Sequence, residues 1–170
     1  MRARKCISAF YMMFFLVGCA GQSQPEKEFQ RQIAVVDVEL QSGQIENVLP
    51  LVEDMNIKYP RNAAVLLRLA EANAALGRET AAREYFRKVL SITPDSRAAW
   101  MGLSKVYLKS HPELAQKILA DMTRLYPDDA QVLDNYGVAL DVNGHYLEAQ
   151  EVYKRAISVD PSLVSAEVNL

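Results

Sequence analysis

Hydrophobic and polar positions divide the chain into three stretches. Near the start lies an apolar run of eleven residues, Ile7–Val17, relieved only by the small residues Ser8 and Ala9. Residues 20–28, AGQSQPEKE, are small, polar and charged. From residue 29 onward apolar residues return at helical spacing. Trp100, Leu103 and Tyr107 stand at i, i+3 and i+7, and Leu133, Tyr136, Gly137 and Leu140 form an equivalent stripe further on. Such stripes predict an all-α body of amphipathic helices, each burying one face.

The helices recur with a period. Pro60, Pro94, Pro127 and Pro161 are 34, 33 and 34 residues apart, and Gly43 and Gly77 are 34 apart with Gly144 following 67 later. Ala82, Ala115 and Ala149 keep the same step, as do Phe86, Leu119 and Tyr153. A 34-residue period with this punctuation resembles the tetratricopeptide repeat (TPR), a helix–turn–helix unit whose copies stack into an α-solenoid of antiparallel helix pairs. In that register the array covers 29–170, with units at about 29–62, 63–96, 97–129 and 130–163 and a partial fifth from 164. Glycine at 77 and 144 ends a first helix in a left-handed cap. Ala82, Ala115 and Ala149 let paired helices approach, while Phe86 and Tyr153 are expected to wedge between neighbouring pairs. Trp100, Leu103, Tyr107 and Gly137 complete the expected repeat core, with Trp100 buried. The prolines stop second helices, and Asp95/Ser96 and Asp128/Asp129 are placed to cap the next first helix. The third unit lacks the glycine, and Lys109-Ser110-His111-Pro112-Glu113 predicts a tighter turn with Pro112 at the first helical position. In the first unit Val48 replaces the alanine and Pro50 falls inside the second helix, which predicts a late start or a kink. Because the chain stops within a first helix, the array is expected to continue past Leu170.

Length and composition agree with one well-packed body. The 170 residues are 50% hydrophobic and 24% charged, at a net charge of -2, which offers no basic footprint for nucleic acid. Charge is unevenly placed, however. Removing Arg2, Arg4 and Lys5 with residues 1–18 leaves 16 basic against 21 acidic residues, a net of -5. A cationic start, an apolar run too short to span a bilayer and a polar sequel read as a signal peptide over 1–18. Leu16-Val17-Gly18-Cys19 resembles the lipobox of bacterial lipoproteins, in which the cysteine thiol accepts the lipid and becomes the mature first residue. That resemblance implies lipidation of Cys19, a flexible tether over 19–28 and a membrane-anchored protein. By resemblance to the sorting rules of Gram-negative lipoproteins, Ala20, which is not the aspartate of inner-membrane retention, implies the outer membrane with the body facing the periplasm. Cys6 lies in the leader, so no later residue can form a disulfide or a thiolate metal site.

Catalytic chemistry is absent from the motifs. The sequence holds no H-E-x-x-H, no Gly-rich phosphate loop and no G-x-S-x-G. His111 and His145 fall in turns between helices, and Asp128-Asp129 is explained by capping. No catalytic residue, cofactor, metal or small-molecule substrate is therefore expected, and the chain reads as a binder of proteins. By similarity to the repeat family, positions 2, 5, 9 and 12 of each unit face a concave groove. These are Ala64, Leu67, Glu71 and Ala74, then Ala98, Met101, Lys105 and Leu108, then Gln131, Asp134, Val138 and Asp141. The expected groove is mixed apolar with an acidic end, and it lacks the Lys/Asn/Arg set that clamps a terminal carboxylate in chaperone-binding relatives.

The last complete unit adds a finer resemblance. NYGVALDVNGHYLEAQEVYKRAISVDPS, Asn135–Ser162, is similar to the corresponding repeat of the tight adherence (Tad, or Flp) pilus assembly lipoproteins, in which a lipobox leader precedes a short array. This resemblance implies an outer-membrane-tethered scaffold whose partners are components of the pilus secretion apparatus. Two other readings stay open: another outer-membrane TPR lipoprotein, such as a secretin pilotin or a cell-wall hydrolase adaptor, or the tethering domain of a longer periplasmic enzyme.

Overall fold

The computed structural model describes residues 24–170. The expected signal peptide and Cys19 lie outside the described residues. The helices are α1 (Gln24–Gln41), α2 (Ile45–Lys58), α3 (Ala63–Ala75), α4 (Glu79–Ile92), α5 (Arg97–Ser110), α6 (Pro112–Leu125), α7 (Ala130–Val142), α8 (Tyr146–Val159) and the short α9 (Val164–Asn169). Among the described residues there is no strand, and no helix is long and apolar enough to cross a membrane. Each odd-numbered helix packs on the even-numbered helix that follows it and also on the next odd one, α1 on α3, α3 on α5, α5 on α7 and α7 on α9. The odd helices thus share one surface of an all-α solenoid and the even helices back it.

Local chemistry sets the boundaries. Gly43, Gly77 and Gly144 have φ of +76°, +70° and +81°, a left-handed conformation that glycine adopts without a Cβ penalty. At Gly77 the turn closes with Arg78 N–H donating to Asn73 C=O at 2.8 Å and Gly77 N–H to Ala74 C=O at 3.0 Å, which satisfies carbonyls that the helix end would orphan. The third unit takes the shorter route. Only His111 separates α5 from α6, and Pro112 opens α6. Side-chain oxygens cap the first helices: Asn62 accepts from Ala64 and Val65 N–H, Ser96 from Ala99, and Asp129 from Gln131 and Val132.

Some expectations change. The tether expected over 19–28 is helical from Gln24, where α1 begins with residues 24–28 exposed. The late start expected from Pro50 is not observed, since α2 runs unbroken from Ile45 with Pro50 inside it on the exposed side. The hydrogen bond that proline withholds from Glu46 C=O falls on an exposed residue, where water can replace it. Trp100 is half-buried rather than core. Ala99, Leu103, Val106 and Tyr107 form the buried stripe of α5, and Trp100 packs at its edge with Nε1 donating to Pro94 C=O at 2.9 Å.

Leu103, Tyr107, Gly137, Ala82, Ala115 and Ala149 are all buried, the three alanines fully. Phe86 is 1% exposed, and its ring lies where a Cβ on Gly102 of the next unit would stand, 2.2 Å from Cζ. It is a wedge between neighbouring pairs. Tyr153 is not. Its ring fills the space over Gly137 of its own pair, where a Cβ would come within 2.4 Å, and its hydroxyl donates to Asp141 at 2.8 Å.

Candidate functional site: a trough across the first helices

The inner faces of α3, α5 and α7 enclose a cavity of about 450 Å³. Its floor is apolar, made by Ala74, Ala98, Met101, Gly102 and Val106 with Phe86 beneath. Glu71 and Glu79 stand on the α3–α4 side, Lys105 and Lys109 along α5, and Gln131 at the start of α7. A second hollow of about 500 Å³ continues toward α1, lined by Asp37, Leu40, Leu67 and Arg68. Glu71 and Ala98 border both hollows, so the two form one trough that crosses the first helices of successive units.

Electrostatics along the trough are uneven. Arg68 holds Asp37 with two parallel bonds, Nε to Oδ1 and Nη2 to Oδ2, both 2.8 Å. This fork joins α3 to α1 and keeps the guanidinium pKa above its ordinary value. Arg97 makes the same fork to Asp129 at 2.6 and 2.8 Å. Its partner also caps α7, so one carboxylate both joins two units and starts a helix. The Arg97 bond, followed by the amides of Val132 and Gln131, pulls the Asp129 pKa below its ordinary 3.8. Glu71 behaves in the opposite way. Burial pushes its pKa upward and outweighs the pull of Arg68, whose charge is engaged with Asp37.

Of the residues expected to face a partner, Leu67, Glu71, Ala74, Ala98, Met101, Lys105 and Gln131 border the trough. Ala64, Leu108 and Val138 are half-buried, and Leu108 and Val138 pack against the core. The expected acidic end is not free. Asp134 is 7% exposed and accepts from Ser165 Oγ at 2.8 Å and Asn169 Nδ2 at 3.2 Å, so α9 covers it. Asp141 is engaged by the Tyr153 hydroxyl. Family positions predict which face a residue occupies but not which later helix covers it.

Sequence reasoning missed Asp37, Arg68, Gly102, Val106 and Lys109. A signal for some of them exists. Asp37–Arg68 and Asp134–Ser165 are both 31 residues apart, one helical turn short of the 34-residue period, because adjacent first helices pack with that offset. His111 and His145 are exposed in their turns. Among the described residues no group of three His, Cys, Asp or Glu could hold a metal ion.

Comparison with known proteins agrees with this geometry. Residues 63–106 and 130–163 match models of the tetratricopeptide repeat. No curated protein matches the chain. In fold it is similar to MamA from Desulfovibrio magneticus RS-1, solved from residue 41 to its end, at 23% identity and a TM-score of 0.69 over 81% of this chain and 78% of that one. It is also similar to TTC0263, a thermophilic TPR protein of Thermus thermophilus, at 22% identity and a TM-score of 0.71 over 78% and 74%. The chain therefore carries tetratricopeptide repeats in a TPR-type solenoid.

Proposed function

We propose that this TPR chain is a membrane-anchored scaffold that holds a segment of another protein in the trough across α1, α3, α5 and α7 and makes or breaks no bond itself. The observation that carries this reading is the trough's make-up. An apolar floor of Ala74, Ala98 and Met101 lies between walls bearing Glu71, Lys105 and Lys109, a surface suited to a helical or extended segment with apolar anchors and a charged rim. The finer part of the reading comes from the sequence. Cys19 in its lipobox anchors the protein to the outer membrane, facing the periplasm, and the partners are components of a Tad/Flp-type pilus secretion apparatus.

Two measurements test this. A photo-crosslinking amino acid at Ala98, which borders the trough, and another at Lys154, on α8, are compared in cells that express the full chain. Capture of secretion components from Ala98 and not from Lys154 is the expected result. Equal capture at both sites, or none of such components, overturns the scaffold's proposed place. Cys19→Ser is expected to move the protein from carbonate-washed membranes to the soluble fraction, and continued membrane residence removes the lipid anchor.

A further inference from the structure

The trough repeats one arrangement and leaves its second copy incomplete. Asp37, Val52 and Arg68 recur one period of 34 later as Glu71, Phe86 and Gly102. In the first copy the acid on one first helix is held by the arginine 31 residues on, with both bonds at 2.8 Å. In the second copy the acid is Glu71 and the residue 31 positions on is Gly102, with no side chain to offer. The reason lies in the second helix. Where the first copy has the smaller Val52, the second has Phe86, whose ring lies 2.2 Å from the position of a Cβ on residue 102. Residue 102 therefore carries no side chain of its own, and the cavity beside it is lined by Glu71, Phe86 and Met101.

Glu71 is correspondingly without a donor. Among the described residues no hydrogen bond reaches its carboxylate, and Arg68 is committed to Asp37 and Ala64 C=O. Burial raises the pKa of Glu71 against the pull of Arg68, as expected of a partly desolvated carboxylate whose neighbouring cation is hydrogen-bonded to another acid. Across the same cavity Lys105 and Lys109, one turn apart on α5, are exposed and join no ion pair among the described residues.

We propose that the space above Gly102 takes a basic side chain, arginine above all, from a partner segment that carries an acidic residue beside it. The partner's guanidinium sits on Glu71, as Arg68 sits on Asp37 one unit earlier, and its carboxylate meets Lys105 and Lys109. The apolar floor suits the aliphatic stem of such a side chain, and the planar fork matches a carboxylate as an ammonium does not. This inference rests on the reading of the trough as a protein-binding groove and names the chemistry of what binds there.

Selection of random peptides about 12 residues long on the immobilised full chain tests it, with Ala98→Arg as the variant that fills the trough. The expected outcome is enrichment, lost in Ala98→Arg, of peptides with arginine and a nearby acidic residue. Replacing that arginine by its neutral isostere citrulline then weakens binding about 10-fold, and in Glu71→Gln the two peptides bind alike. Enrichment that depends on an open trough but carries no basic residue overturns the inference and leaves the groove standing. An arginine preference that survives in Glu71→Gln also overturns the inference. Peptides that bind Ala98→Arg as well as the native chain, or no enrichment at all, overturn both. A melting curve for Glu71→Gln at or above the native one separates loss of binding from loss of fold.

Discussion

Gly102→Ala makes a demanding test of the packing, because two principles predict opposite signs. Replacing glycine by alanine inside a helix ordinarily stabilises by about 1 kcal/mol through propensity. Here the added methyl would stand 2.2 Å from Phe86 Cζ and 2.3 Å from Cε1, well inside van der Waals contact. The ring is only 1% exposed, so it has nowhere to swing without displacing α4 from α5. Overpacking of this kind costs about 1–3 kcal/mol, and the severity of the overlap places it at the upper end. The net expectation is a loss of about 1–2 kcal/mol, or roughly 2–8 °C in Tm for a body of this size. Urea unfolding followed by far-ultraviolet circular dichroism reads it directly. Phe86→Leu alone should also destabilise by leaving a void, yet combined with Gly102→Ala it should recover part of the loss. A Gly102→Ala variant as stable as the native chain, or more so, would refute the wedge between units. It would also remove the reason why no side chain answers Glu71.

Three further outcomes follow from the contacts. Asp129→Asn keeps a capping oxygen but gives up the charged fork to Arg97, and it should cost on the order of 1 kcal/mol at neutral pH, since the pair is partly screened by solvent. Because the folded carboxyl titrates below its ordinary value, its stabilisation is complete above the unfolded pKa near 3.8 and is lost as pH falls through the lower folded one. The variant should therefore show a shallower acid limb in a series of melts, and an unchanged limb counts against the fork. Asp134→Ala removes the acceptor that holds Ser165 and Asn169, and a six-residue helix has little stability of its own. Amide exchange over Val164–Asn169 should quicken about 5-fold or more, corresponding to about 1 kcal/mol, while α3 and α4 keep their protection. Trp100→Ala should cost less than the roughly 3–5 kcal/mol expected of Phe86→Ala, since Trp100 is half-buried; equal losses would place it in the core.

Period and punctuation carried most of the fold. Positive-φ glycines at 77 and 144, prolines past the second helices and fully buried alanines at 82, 115 and 149 are local demands, and one residue type meets each. Trp100 misled because the stripe drawn through Trp100, Leu103 and Tyr107 runs along the edge of the buried face, with Ala99 at its centre. On a helix the buried stripe is set by angle, and residue 99 occupies it while residue 100 lies some 100° away. Asp134 misled for a different reason. A family position fixes the face of a helix, whereas the cover over that face comes from a later helix, and Ser165 and Asn169 carry no motif that announces it. Tyr153 occupies the place of Phe86 in its unit, and its ring fills the space over Gly137 of its own pair.

These differences decide what the surface can bind. Counted along the sequence, the inner face looks acidic toward its end, but Asp134 and Asp141 are spent on internal hydrogen bonds, while Asp37 and Asp129 are taken by arginines. The forks make Asp37 and Asp129 close to neutral at a distance, whereas neutral hydroxyl and amide donors occupy the oxygens of Asp134 and Asp141. Glu71, Glu79, Lys105 and Lys109 remain, gathered around one cavity at the middle of the array. Recognition in such a site turns on which charges the fold leaves unanswered, and the residue 31 positions past Glu71 is Gly102, against which the Phe86 ring packs.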